Sequence, residues 1–357
     1  MPNSRPPADA ALTKQIVSLQ SRRGWFIVLS CSATSHVKPP PIAQKLFNRI
    51  KGGAKVKDTN RREFLKKSGV VSAALAMAGS ARIEARETRQ TRRGAAPSRK
   101  PALRIGLMTY NLARGWDIET IIKNCSQAKF EHAELRTTHA HKVEVDLTAK
   151  QRAEVKKRFE DSPLRAISLA SGFSYHHADA KKLRENIEGT KKYTILARDI
   201  GAKGIRVFPN ALTDRGVSEE KTLEQIGASV REVGEFAADY GVEIRLSNHG
   251  RGTNRIKVTK RILDYADSEH VYVNWNCDGT DIEEPGFEAN FNLVKSQIRN
   301  IHMHRLHDEK YPYRRLFELL RAADYPGYCD AEIPESCEPV ELMKYYRALF
   351  LAFQNVI

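Results

Sequence analysis

Acidic side chains are nearly missing from the first 103 residues of this 357-residue chain, where 5 Asp and Glu stand against 21 Lys and Arg. From Arg104 onward the two signs balance at 38 each, so the whole formal charge of +16 belongs to the amino-terminal part. A cationic stripe that neutralises phosphates marks a nucleic-acid binder. The part able to fold compactly is neutral, which argues against that class. Cysteine is scarce too: five residues and no CxxC pair suit neither a structural zinc site nor a disulfide framework. These thiols read as small buried or idle side chains. No apolar run approaches the ~20 residues that span a bilayer, so no stable membrane anchor is expected. Also absent is a glycine-rich phosphate loop after the first strand candidate, which runs into NLARGWD instead.

The amino-terminal part does contain an address-like pattern. Residues 60–66 read NRREFLK, followed by the modest apolar run VVSAALAMAG (70–79) and then SARIEAR. A basic segment, a short apolar segment and small residues, in that order, make a signal peptide. Arg61-Arg62 with Phe64, Leu65 and Lys66 resembles the twin-arginine signal, an address read by an export machine. The resemblance implies export of an already folded protein to the periplasm or cell exterior, with cleavage between Ala78 and Ala85. About sixty residues precede the arginine pair, more than such a signal normally has. Val56 as an alternative start would give an ordinary leader, so residues 1–55 are expected to be a disordered extension or a gene-model artefact. Residues 56–85 are then the signal and 86–103 a solvated basic linker.

From Arg104 the chain alternates short β-rich runs with longer amphipathic ones. The strand candidates are LRIGLMTYN, FEHAELR, LRAISLAS, AKGIRVFPN, VEIRLSNHG, VYVNWNCD, IRNIHMHR and GYCDAEIP. Between them lie helical patterns such as 181–201 and 220–241, each closing on a glycine suited to a left-handed cap. Each interval has room for one crossover helix, which makes neighbouring strands parallel. Eight such units between 104 and 357 fit a (β/α)8 TIM barrel, typically about 250 residues long; a doubly wound open sheet is the alternative. Barrel enzymes act at the carboxyl ends of their strands. Here those ends supply Tyr110, Asn111, Glu134, Arg136, Ser171, Asn210, Ser247, His249, Asn276, Asp278, His302, His304 and Glu332. Strand alternation pairs Ser247 with His249, Asn276 with Asp278, His302 with His304 and Asp330 with Glu332 on common faces. Such a ring suits a divalent metal or a polyhydroxylated ligand.

With AELR on the second strand, NHG on the fifth, VNWN on the sixth, IHMH on the seventh and AEIPES on the eighth, followed by YYRALF, residues 104–357 resemble the xylose isomerase-like superfamily. The likeness is to its sugar phosphate isomerase and epimerase members. It implies a divalent ion (Mn, Zn, Co or Mg) held at the ends of strands five to eight, and a glutamate moving a proton beside a carbonyl. Two of the family's ligand positions map to His302 and Glu332. The other two fall on Ser247 and Asn276, where the family has carboxylates; hard cations depend on anionic oxygens. Asp278, His249, His304 or Glu134 are the residues able to compensate.

The resulting expectations are Glu332 and Glu134 as catalytic groups and His302, Glu332, Asp278 and His249 as metal ligands. Asn111, Ser247, Asn248, Trp275, Asn276 and His304 are expected to bind substrate. Glu134 has a rival reading as an ion-pair partner of Arg136 or Arg165, and Trp275 as a packing residue. The expected function is isomerisation or epimerisation of a sugar, sugar acid or polyol. A metal-free barrel that binds carbohydrate without turnover, or a hydrolase or lyase on the same scaffold, is the alternative. The expected partners are a small carbohydrate and the twin-arginine machinery; assembly into homo-oligomers stays open.

Overall fold

The computed structural model describes residues 13–21, 24–32, 102–212 and 216–356. Contacts divide the chain into Met1–Arg99 and Lys100–Ile357. In the first unit Thr13–Ser21 and Gly24–Ser32 pair antiparallel, a ladder that the residue pattern alone does not announce. The candidate signal at 56–85 and linker residues 86–101 lie outside the described residues.

The second unit is a closed barrel of eight parallel strands: β1 (Arg104–Met108), β2 (His132–Arg136), β3 (Ala166–Ser174), β4 (Gly204–Phe208), β5 (Glu243–Ser247), β6 (Val271–Asn276), β7 (Ile298–Met303) and β8 (Tyr328–Ala331). A helix follows each strand: α1 (Ile118–Ala128), α2 (Ala149–Glu160), α3 (Ala180–Ile200), α4 (Glu219–Ala238), α5 (Ile256–Ala266), α6 (Phe287–Val294), α7 (Tyr313–Ala322) and α8 (Pro339–Phe353). All eight strand candidates are thus strands, closed by β8 against β1 and β5 against β6.

Local chemistry sets the helix ends. Asp117, Thr148, Asp179 and Ser218 cap α1 to α4 through their side chains, satisfying amides that lack intrahelical partners. Gly201 ends α3 in the left-handed conformation, as its position predicts. The fourth helix stops three residues short of expectation, at Ala238. Gly241, at φ +65°, instead forms a turn in which Val242, the residue before β5, donates to the Ala237 carbonyl.

Every strand carries two chemistries. Residues facing the helices are apolar and fully buried: Leu107, Leu135, Leu169, Val207, Leu246, Val273, Trp275 and Ile301 belong to one continuous core with the helices' inner faces. Residues facing the axis are largely polar, although barrel interiors are usually filled by branched apolar side chains. Gly106 makes room for them. A Cβ there would stand 1.9 Å from Asp330 Oδ1.

Candidate active site at the carboxyl end of the barrel

The axial side chains form a hydrogen-bonded belt inside the barrel. Asn274 on β6 donates to Ser247 Oγ on β5 at 3.2 Å. Asn300 on β7 donates to Asn274 Oδ1 at 3.1 Å and to Asp330 Oδ2 at 3.0 Å. Asp330 meets His132 Nδ1 at 2.8 Å, and His132 Nε2 lies 3.0 Å from Ser168 Oγ, which donates in turn to Glu134. Glu134 closes the belt on His302 Nε2. All of these residues are buried. A belt this dry is tolerable because its members are paired with one another.

Glu134 and His302 each favour the other's charged form. Burial works against the Glu134 carboxylate, yet His302, Arg206 and His132 together hold its pKa down to about 2. Burial likewise opposes a charged His302, and Glu134 overrides it, so the imidazole pKa is raised. The other ring nitrogen, Nδ1, points toward Glu332 Oε2 at 3.6 Å. The Glu134 expectation resolves in favour of this pair rather than one with Arg136 or Arg165; Arg165 instead lies 2.9 Å from Glu131.

Above the belt opens a cavity of about 210 Å³, walled by Met108 (β1) and Tyr110 beyond it, Arg136 (β2), Arg206 and Phe208 (β4) and Asn210 beyond them, Ser247 (β5) and His249 beyond it, Asn276 (β6), His302 (β7) and Glu332 just past β8. A wider cavity of about 590 Å³ adjoins it through Glu332 and is lined by Asn111, His304, Tyr311 and Tyr313 among others. The His249 ring packs at 4.7 Å on Phe208, tilted by 47°, and contacts Asn210 Oδ1 at 3.2 Å; burial and the Arg206 charge lower its pKa. His304 is likewise lowered by burial and lies 3.2 Å from Asn276 Oδ1.

Of the expected residues, the mouth thus gathers Ser247, His249, Asn276, His302 and Glu332, with Asn111 and His304 at the second cavity. Four stand elsewhere: Glu134 lies in the belt below, and the other three are Trp275, Asn248 and Asp278. Trp275 is fully buried on the outer face, where Nε1 donates to Tyr311 Oη at 2.9 Å and the rings of Phe287 and Phe291 pack against it. Its axial neighbours Asn274 and Asn276 explain this, because alternation points Trp275 away from the axis. Asn248 is buried and ties strand ends together, accepting from Asn276 N at 2.6 Å and donating to the Asn276 carbonyl at 2.9 Å. Asp278 caps the 3₁₀ turn Gly279–Ile282 and accepts from Asn254 at 3.1 Å. Arg206 had no motif to announce it. Its signal is alternation within GIRVF, which sets Arg206 between Gly204 and Phe208 on the axial face.

The donor set for a metal lies deeper than the strand ends. Glu134, His302 and Asp330 offer ligand atoms within 4.8 Å of one another, all buried. Beside them Asn300 Nδ2, with two hydrogens, faces three acceptors, while its Oδ1 is buried without a partner. A surplus of acceptors and an orphaned oxygen are what a cation satisfies. These residues fit a divalent ion. At the family's usual positions, Ser247 and Asn276 leave only His302 and Glu332.

An eight-stranded parallel barrel with imidazole, carboxylate and guanidinium groups converging on its carboxyl end defines an enzyme-like (β/α)8 protein. The sequence profile of the xylose isomerase-like TIM barrel family matches residues 122–350, and the chain belongs to that family. Among solved structures it is similar to 3-keto-D-glucoside 4-epimerase from E. coli (TM-score 0.59, 16% identity, 70% of this chain and 99% of that one). It is similar also to L-ribulose 3-epimerase (0.60, 17%, 71% and 95%) and to the IOLI protein with a binding zinc atom (0.54, 15%, 71% and 98%). At these identities the likeness establishes the fold. No curated protein matches the chain by sequence. Among the described residues no helix is long and apolar enough to cross a membrane.

Proposed function

We propose that the protein is a sugar isomerase or epimerase that moves a proton on a carbon next to a carbonyl. The observation that carries this reading is the Glu332 carboxylate, on the wall of the mouth and 3.6 Å from an imidazole that Glu134 holds from behind. The solved relatives named as sugar epimerases support it. Glu332 removes the proton from the carbon; the electron pair moves to the carbonyl oxygen, which takes a hydrogen bond from His302 Nδ1–H. Passage of the neighbouring hydroxyl's proton to the former carbonyl oxygen, with return of the carbon proton to the neighbouring carbon, completes an isomerisation. Epimerisation requires a protonated group to return the proton from the other face; His249 lines the same cavity and would first take up a proton from solvent. Glu134 does not line the mouth. It is a positioning residue that fixes the ring and charge of His302.

Glu134, His302 and Asp330 would hold a divalent ion, which supplies Lewis-acid polarisation of a carbonyl or hydroxyl when bound. Manganese, zinc, cobalt and magnesium are the candidates. Elemental analysis of protein purified without chelator should find one of them near one per chain, and Glu134→Ala or His302→Ala should remove it. Full occupancy in both variants would defeat this assignment.

The direct test of function is solvent deuterium exchange at carbons adjacent to the carbonyl of ketoses and aldoses, followed by NMR. Exchange by the wild type that Glu332→Gln abolishes supports the reading. The second reading, carbohydrate binding without turnover, draws on the uncharged Ser247 and Asn276 at the mouth; binding without exchange would establish it. Export by the twin-arginine route to the periplasm or cell exterior rests on Arg61-Arg62 and the residues after them. An Arg61→Lys, Arg62→Lys chain that still leaves the cytoplasm would refute it.

A further inference from the structure

The mouth contains a buried cation with no carboxylate in direct contact among the described residues. Arg206 is 5% exposed. Its guanidinium makes no hydrogen bond and no ion pair within 4.0 Å among the described residues, and its Nε is buried without a partner. Phe208 covers one face of the group at 4.0 Å, and its residue is pinned at the backbone by Ser171 Oγ, 2.8 Å from the Arg206 carbonyl. Burial drives its pKa down to about 10, with Glu134 and Glu332 opposing from a distance. Other inward or half-buried arginines differ: Arg245 lies 2.6 Å from Glu243, and Arg152 lies 2.9 Å from Asp199. Arg136 enters the same cavity. It donates to the Thr137 carbonyl and hydroxyl at 2.9 and 2.7 Å, and no carboxylate lies within 4.0 Å among the described residues.

Burying a charge without a partner is strongly unfavourable, and two guanidiniums in one small cavity repel. An anion resolves both. We propose that Arg206, assisted by Arg136, anchors a carboxylate of the substrate, so that the molecule the site accepts is a sugar acid rather than a neutral sugar. The inference rests on the reading of the mouth as a sugar isomerase or epimerase site and narrows its substrate class. Arginine's planar fork matches a carboxylate with two parallel hydrogen bonds. Ser247 and Asn276, uncharged where relatives would have carboxylates, remove the anionic groups that would repel such a ligand. The anchor stands on β2 and β4, while His302 stands on β7 and Glu332 just past the end of β8. A ligand spanning the 210 Å³ mouth thus meets the anchor at one end and the proton-transfer groups at the other. A phosphate is the poorer match: barrel phosphate sites use the loops after strands seven and eight and a helix amino terminus, whereas Arg206 stands on β4, opposite β8 in the ring.

The test is calorimetric titration of the full chain with D-glucuronate and D-galacturonate, D-glucose and D-galactose, and D-glucose 6-phosphate. At least one uronate should bind tenfold or more tightly than its neutral counterpart, and Arg206→Gln should erase that preference. Arg136→Gln should weaken uronate binding less. Without ligand, Arg206→Gln should melt no lower than wild type, since it removes a buried charge that has no direct counter-ion; if it fails to fold, the wild-type comparison and Arg136→Gln still decide. Uronate and neutral sugar binding equally, unaffected by Arg206→Gln, would overturn the anchor and leave the sugar reading standing. Binding of none of the five would overturn both. A preference for the phosphate, lost in Arg206→Gln, would overturn the assignment to a carboxylate.

Discussion

On β2 successive residues alternate between two environments that are equally dry and chemically opposite. Ala133 and Leu135 are fully buried against the helices, while His132 and Glu134, buried to the same degree, face the axis. The outer face stabilises by removing apolar area from water, at roughly 25 cal/mol per Å². The inner face gains little of that kind, because desolvating His302, Glu134 and Asp330 offsets much of their mutual attraction. Burial therefore does not distinguish scaffold from site here; the difference lies in whether buried atoms have been matched by packing or by hydrogen bonds. The outer set closes the barrel. The inner set positions charge beneath a mouth.

If that division holds, substitutions on the two faces should separate activity from stability. Glu332→Gln is the sharpest case. It keeps the shape of a half-buried mouth residue and removes a proton acceptor, so exchange should fall by about 10²–10⁴-fold, the usual contribution of general acid–base catalysis. Its melting temperature should stay near wild type. A Glu332→Gln protein that exchanges at the normal rate would remove the mouth from the chemistry. Next, Glu134→Ala leaves the His302 charge buried and unpaired, which should lower unfolding free energy by about 3–5 kcal/mol. Removing both partners together should recover part of that loss, and a denaturant-melt double-mutant cycle reads the coupling. Strict additivity would mean that the pair is not an ion pair.

Leu135→Ala is the outer-face counterpart, one residue along the same strand. It should cost about 2–5 kcal/mol through lost burial and a cavity, measured by denaturant melts, while the folded fraction keeps its turnover. A drop in turnover per folded molecule would show that the two faces are coupled.

The same alternation explains how much could be read without coordinates. All eight strands follow from β-rich runs separated by helical periods, and the mouth residues from their places at strand ends. The belt beneath was harder. His132, Asn274 and Asn300 sit mid-strand, where a polar residue has no motif, and only strand phase places them on the axis. Trp275 illustrates the same rule in reverse: its size suggests stacking on a sugar, but its phase places it under α6. Asp278 and Asn248 follow the ends of regular strand structure, where alternation no longer dictates direction, and local turns claim both side chains.

Asp281 is the exception that probes the comparison from the other side. It is a carboxyl buried at the rim, outside the axial belt, among Tyr311 Oη at 2.6 Å, Asp278 N at 3.0 Å and Asn248 Nδ2 at 3.4 Å. These donors favour the ionised form, but burial outweighs them and raises the pKa from 3.8 to about 8. The folded chain then keeps a proton that the unfolded chain releases above about pH 4. Unfolding in that window expels a proton, so stability should fall as pH rises from about 4 to 8, by at most about 1.4 kcal/mol per unit. It should level off above pH 8. Denaturant melts across that range, with Asp281→Asn removing the slope, measure it. A carboxyl in the axial belt escapes this penalty because His302 supplies a full opposite charge, whereas Asp281 has only dipoles. A flat profile in the wild type would mean that dipoles alone can hold a buried carboxylate charged in this barrel, and the need for ionic pairing on the inner face would have to be argued from His302 rather than from burial.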